Sequence, residues 1–349
     1  MRVVQIGPFP PPHGGVQTNL VAIRDFLRKQ RIPCAVINLT RFRRPAGDDV
    51  YYPKNAVQLL WRLLRLRYDI IHLHFGGHLN PRLLGLALVC SVLPGAKVVL
   101  TFHSGGYPSS PAGKTARPRT LRGFIFRRLD RIIAVNPELL ELFRKFGVDP
   151  ARTRLIYPHA FSSPVAGDPL PEPLGGFFAA HQPVLLTVGL LEPEYDLPLQ
   201  IEVLSSVRRR FPEAGLVIVG AGSLEDQLRR LIQSKTYRDH ILLCGDMPHR
   251  VTLQAIAGAR ALLRTTLYDG DAISVREALW LGTPVIATDN GMRPEGVCLI
   301  PPGDPEGLVR AIDQCLGEGP CRREGPGAPR EANEENLRTV LRLYREMLG

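Results

Sequence analysis

With 349 residues the chain exceeds what one hydrophobic core usually covers, so two domains of about 150 to 180 residues are expected. Its 44% hydrophobic and 22% charged residues exclude a disordered chain, and no apolar run reaches the ~18 residues that a membrane span requires. The formal charge of +11 is uneven: residues 1–170 carry 25 Lys+Arg against 9 Asp+Glu, the remainder 19 against 24.

MRVVQIG opens the chain as a strand and not as a secretion signal, which places the protein in the cytoplasm. VVQIG, CAVINL, DIIHLHF, KVVLTFH, RIIAV and TRLIY read as buried strands. VQTNLVAIRDFLRKQ, KNAVQLLWRLLRL, PRLLGLALVCSVL and PELLELFRKFG read as the helices between them. Strands that alternate with helices build a parallel sheet covered on both faces. Pro and Gly crowd the tract from about 158 to 182, so residues 166–182 are expected to link domain 1–165 to domain 183–330. The alternation restarts with PVLLTVG, GLVIVG, HILLCG, RALLRT and PVIAT, separated by helices such as LQIEVLSSVRRRF and SLEDQLRRLIQ. The fold class is therefore α/β, two tandem Rossmann-like, doubly wound domains, with the carboxyl ends of both sheets facing one cleft. A Gly/Pro/Arg-rich stretch near 317–330 reads as a loop. Residues 331–349 form a last helix with Leu337, Leu341 and Tyr344 or Met347 on one stripe, placed to pack back on the first domain.

Four stretches could carry chemistry. GPFPPPHGGVQTNL ends in Gly14 and Gly15 before a helix, where a ligand can approach the backbone closely; a plain turn is the alternative. KVVLTFHSGG puts His103 at a strand end, the usual ligand crevice of such sheets. His72 and His74 alternate with apolar residues and read as core or crevice lining. In TTLYDGDAISVREALWLGTPVIAT, a strand, a tight loop and a helix beginning near Asp271 or Ala272 hold Asp269 and Glu277 eight positions apart. Free amides at that helix start, at Asp271, Ala272 and Ile273, suit an anion. On these residues alone, Asp271 could equally be an N-cap and Glu277 a solvated helix residue.

The six cysteines form no Cys-x-x-Cys pair and read as reduced and buried, and no Cys/His spacing supports zinc or any other metal. The run GAGSLE has Glu225 where a dinucleotide fingerprint has its third glycine, which argues against a nicotinamide enzyme. Nearly all of the cationic charge is arginine, so it is not taken as a sign of nucleic-acid binding; phosphate substrates or an anionic membrane face fit it. RPRTLRGFIFRRLDR, residues 117–131, interleaves arginines with Leu121, Phe124, Ile125 and Leu129, as a basic amphipathic helix on lipid headgroups or a core-packed helix with a solvated face would.

DGDAISVREALWLGTPVIAT resembles the signature of the retaining glycosyltransferases of family 4, whose two-domain fold is called GT-B: an acid, seven residues, Glu-Ala, then Gly-x-Pro-Val-x-Ala-Thr. DNGMRPEG, VIVGAGSLEDQLRRL and ILLCGDMPHRVTLQAIAGA are similar to the family's neighbouring segments, so that the likeness covers most of the chain. The resemblance implies transfer of a sugar from a nucleotide diphosphate donor, of UDP or GDP type, to a hydroxyl, with retained configuration and without metal or cofactor. The acceptor it implies is a glycan or lipid-linked envelope precursor, which the first domain would receive. It gives Glu277 the ribose, Asp269 (usually Glu) and His103 the donor sugar, and the loop of Gly14 and Gly15 a place over the donor phosphate. Leu190 and Tyr195 stand where the family has the Arg and Lys that bind the diphosphate. Arg264 and Arg276 are the candidate replacements by sequence proximity. The alternatives are a degenerate GT-B protein that binds nucleotide or glycan without catalysis, and an epimerase on the same architecture, which the signature does not support. The expected setting is the cytoplasm, with peripheral contact with the inner face of an anionic membrane through the basic first half as the alternative.

Overall fold

The computed structural model describes residues 1–11, 13–40, 47–77, 79–158, 169–267, 272–291, 293–317 and 334–349. Asp269 and Asp271, most of the 317–330 stretch and the start of the expected linker lie outside the described residues.

Two compact units result. The first holds seven strands, β1 (Val3–Gly7), β2 (Cys34–Asn38), β3 (Val50–Tyr51), β4 (Ile70–Phe75), β5 (Lys97–Phe102), β6 (Arg131–Ala134) and β7 (Thr153–Leu155). They pair in parallel in the order β3-β2-β1-β4-β5-β6-β7. The second holds β8 (Val184–Val188), β9 (Gly215–Val219), β10 (Ile241–Gly245), β11 (Ala261–Arg264), β12 (Val285–Thr288) and β13 (Cys298–Ile300), also parallel, in the order β10-β9-β8-β11-β12-β13. In each sheet the winding direction reverses once, between β1 and β4 and between β8 and β11, and ligand sites of doubly wound sheets form outside the carboxyl ends of strands at such a reversal.

Alternation along each central strand sends side chains to two apolar layers. In the first sheet Val4, Ile6, Ile71, Leu73 and Phe75 enter one core, and Val3, Ile70 and Val99 the other. The second sheet divides likewise, Leu185, Leu216, Ile218 and Leu263 against Leu186, Val217, Val219 and Leu262. Helices start where a capping side chain precedes a proline: Asn80 before Pro81, Asn136 before Pro137 and Asp304 before Pro305, each accepting from a backbone N–H.

The last helix, Glu335–Leu348, belongs to the first unit. Its Leu337, Val340, Leu341, Leu343 and Tyr344 join Val3, Ile23, Phe26, Ile70 and Val99. Residues 117–131 do not form one helix: only Leu121–Phe126 is helical, because β6 begins at Arg131 and Arg127 turns back to bond the Pro118 and Phe146 carbonyls. Of the described cysteines Cys34, Cys90 and Cys315 are buried, whereas Cys244 and Cys298 are half-buried.

Candidate functional site

In the second unit the helix Ile273–Leu281 follows β11. Its N-cap, Ala272, offers no side-chain hydrogen bond, and among the described residues no side chain caps the amides of Ile273 and Ser274. Gly282 closes the helix at φ 81°, where a Cβ would be strained, and the Gly282 and Thr283 amides donate to Leu279 and Ala278. Ile273 opens this helix, and Glu277 lies four residues on, 4% exposed. That burial excludes the solvated-residue reading.

The Glu277 carboxylate is held by His249, the first residue of the helix His249–Gly258, with Nε2 2.7 Å from Oε1. Burial, the largest influence on the His249 imidazole, pulls its pKa down; the hydrogen bond to Glu277 and its charge outweigh burial and leave the pKa raised. Sequence reading missed His249, which lies 28 residues before its partner on another helix.

Arg264, at the end of β11, is buried. Its Nη1 donates to the Val188 carbonyl at 2.9 Å, and its guanidinium lies over the Tyr195 ring, 4.6 Å from the centroid. Gly189 is required there, since a Cβ at this position would stand 2.2 Å from Tyr195 Cε1 and 3.0 Å from Arg264 Nη1. Leu190 is 40% exposed and Arg276 half-buried. Thr265 donates to the Tyr195 carbonyl and accepts from Gln200 at 2.8 Å, which ties the end of β11 to the turn that carries Tyr195. Arg293, also missed, bonds Thr266 Oγ1 at 2.7 Å and the Thr288 carbonyl at 3.0 Å.

In the first unit His103 follows β5, and Nε2 of its ring is 3.3 Å from Nδ1 of His74. His74 bonds Gln5 at 2.9 Å, and His72 sits between Tyr344 at 2.5 Å and Thr101 at 2.6 Å. Burial holds His72 and His103 down to about 3 and His74 well below its ordinary value, with the neighbouring imidazoles adding to the shift of His72 and His74. Gly15 opens the helix Gly15–Lys29 of this unit, and Gly14 groups with the second. Among the described residues no group of three His, Cys, Asp or Glu could hold a metal ion, and no helix is long and apolar enough to cross a membrane.

Comparison with known proteins converges on one family. Residues 14–159 match the profile described as Glycosyltransferase Family 4, and residues 177–325 the one described as Glycosyl transferases group 1. A phosphatidylinositol N-acetylglucosaminyltransferase subunit from Arabidopsis thaliana is 23% identical over 66% of this chain and 51% of its own length, so the chain spans about half of that relative. A Mycobacterium tuberculosis GDP-mannose-dependent alpha-(1-6)-phosphatidylinositol monomannoside mannosyltransferase is 25% identical over 83% of this chain and 80% of its own. Among solved structures, sucrose-phosphate synthase from Thermosynechococcus elongatus superposes with a TM-score of 0.70 at 18% identity, covering 100% of this chain and 99% of that one. Anabaena HepE bound to UDP-glucose gives 0.68 at 16%, with the same coverage. These two show the GT-B fold, and the profile matches, which together take in most of the sequence, show that the chain belongs to glycosyltransferase family 4.

Proposed function

We propose that the protein transfers a sugar from a nucleotide diphosphate donor to a hydroxyl of a glycan or lipid-linked acceptor, with retention and without metal or cofactor. One observation carries the reading: a buried carboxylate, Glu277, fixed by His249 four residues into a helix whose first amides have no side-chain cap among the described residues. Glu277 would accept from the ribose hydroxyls, and the amides near Ala272 and Ile273 would take the leaving diphosphate, whose developing charge they stabilise. Asp269 keeps the role on the sugar that the resemblance gives it, and Asp271 the place at the helix start that the sequence reading gives it. His103, in the first unit, is assigned to the sugar, Gly14 and Gly15 to the donor phosphate, and no side chain acts as a nucleophile.

The family likeness supports the activity; the phosphatidylinositol acceptors in two relatives' names support the lipid-linked class. Incubation with UDP-, GDP- and ADP-sugars and candidate acceptors tests it, with the configuration of the product read by NMR. Donor binding without turnover on any acceptor would favour the rival, a nucleotide-binding family member without catalysis, for which the loss of two cations at Leu190 and Tyr195 speaks.

Contact with an anionic membrane belongs to the same proposal. The helix Ala56–Arg65 of the basic first unit exposes Val57, Leu60, Trp61 and Leu64, with Arg62 and Arg65 stacked on the Trp61 ring at 5.0 and 4.8 Å. Apolar side chains ringed by arginines suit the boundary between headgroup and acyl chain. Co-sedimentation with phosphatidylglycerol vesicles should exceed that with phosphatidylcholine and fall in Trp61→Ser/Leu64→Ser; equal sedimentation of both proteins would refute the contact.

A further inference from the structure

One face of the first sheet carries a column of polar side chains, Gln5 on β1, His72 and His74 on β4, Thr101 on β5 and His103 just beyond it. The hydrogen-bond directions in this column follow from one group that can only accept. Gln5 Nε2 donates to the Leu20 carbonyl at 3.2 Å and lies 3.3 Å from Cys34 Sγ. The amide oxygen of Gln5 therefore faces the opposite way, 2.9 Å from His74 Nε2. An amide oxygen has no proton to give, so His74 must carry its proton on Nε2. In a neutral imidazole the other nitrogen is then a bare acceptor, and that nitrogen, Nδ1, is the one 3.3 Å from His103 Nε2. His103 must donate. Its proton sits on Nε2, and its Nδ1 carries a lone pair that receives no hydrogen bond from any described residue. Burial keeps both rings neutral at ordinary pH, so the second proton that would blur these directions is absent.

We propose that Gln5 and His74 are positioning residues that lock His103 in the Nε2–H tautomer, so that its Nδ1 meets the donor sugar as a pure hydrogen-bond acceptor. The inference rests on the assignment of His103 to the sugar, and it names what the site selects: a sugar with a hydroxyl to donate at that point. A donor that lacks the hydroxyl would cover the half-buried acceptor without pairing it and be discriminated against.

The tautomer is read directly in the full chain labelled with ¹⁵N-histidine, in long-range ¹H–¹⁵N spectra, with His103 assigned by the signals missing in His103→Gln. A proton on Nε2 and a bare Nδ1 are expected in wild type; a proton on Nδ1 overturns the inference. Because no donor is needed, this outcome is independent of whether the chain transfers sugar. Kinetics give the second readout. His74→Leu removes the acceptor and should lower kcat by on the order of 10- to 100-fold, with the donor KM within about threefold. His74→Asn, whose Oδ1 can still accept from His103, should recover most of the loss. Gln5→Leu frees the His74 proton to move to Nδ1 and should show a mixture of His103 tautomers together with a reduced kcat. A His74→Leu protein as fast as wild type, or an Asn variant no better than the Leu variant, overturns the lock.

Discussion

A carboxylate that is 4% exposed persists against its desolvation only when a partner takes up its charge, and for Glu277 that partner is His249. Glu277→Gln should weaken UDP or GDP binding by about 10-fold or more, since a neutral amide is a poorer acceptor for the ribose hydroxyls; calorimetric titration with an unchanged Kd would refute the ribose assignment. The pair also has a pH signature. Because the folded pKa of His249 is raised above 6.5, its contribution to stability is complete below that value and fades as pH rises through the folded pKa. Wild type should therefore exceed His249→Gln in urea resistance by more at about pH 5.5 than at about pH 8.5, and a constant gap would place the shift elsewhere. His103 behaves in the opposite sense. With its folded pKa pushed down to about 3, it stays neutral down to mild acid, so stability that needs the neutral ring is lost as pH falls below 6.5. No acid limb in kcat from His103 should appear between about pH 5 and 8; a limb that vanishes in His103→Gln would show that the ring titrates there. Glu277 and His103 stand out in the sequence as candidates because each sits in a short contiguous motif. His249 and Gln5 were not, since their partners lie 28 and 69 positions away and only the packing of helix and strand joins them.

The strands with long Val/Ile/Leu runs were legible for the reason they exist: they are buried on both faces, so apolar residues dominate them, with Gln5, His72, His74 and Thr101 as buried polar exceptions. Edge strands lack that constraint. β3, two residues long, and β13, with Leu299 half exposed, emerge only from pairing with β2 and β12. The arginine-rich run at 117–131 misled because charge spacing resembles a helix face even where Arg127 serves to bond two carbonyls of a turn. At the helix Ile273–Leu281, sequence and structure agree on the terminator Gly282, which predicts that Gly282→Ala costs about 1 to 2 kcal/mol in urea unfolding, as the left-handed residue gains a Cβ. An unchanged midpoint would mean that the helix frays there. The cations that the family resemblance places at Leu190 and Tyr195 define a gain-of-function counterpart. Leu190 is 40% exposed next to Gly189, so an arginine there need not be buried. Leu190→Arg should tighten UDP or GDP binding several-fold, and no gain would indicate that the diphosphate is neutralised from elsewhere.

At the scale of the whole chain, the first unit is completed by the last helix. Leu337, Val340, Leu341, Leu343 and Tyr344 are each no more than 6% exposed, and the Tyr344 hydroxyl shares a 2.5 Å hydrogen bond with His72 in the middle of the first sheet. Sequence periodicity marked the stripe of that helix and the expected return to the first domain; which strands receive it follows from the match between its apolar side chains and the patch of Val3, Ile23, Phe26, Ile70 and Val99. Burying five such side chains is worth on the order of 10 kcal/mol, comparable with the ~5–15 kcal/mol that holds a domain together. A chain that stops at Gly317 should therefore lose the cooperative unfolding of the first unit while the second, whose cores draw only on residues before Gly317, keeps its own. Hydrogen exchange read peptide by peptide distinguishes the units: protection should vanish in β1, β4 and β5 and persist in β8, β9 and β11. Tyr344→Phe isolates the polar part, since it keeps the ring and orphans one His72 nitrogen, and should cost about 1 to 3 kcal/mol in the first unit alone. Protection in β4 that survives the truncation would mean that the helix rests on the sheet without holding it, and the histidine column would then owe its order to Gln5 and Thr101.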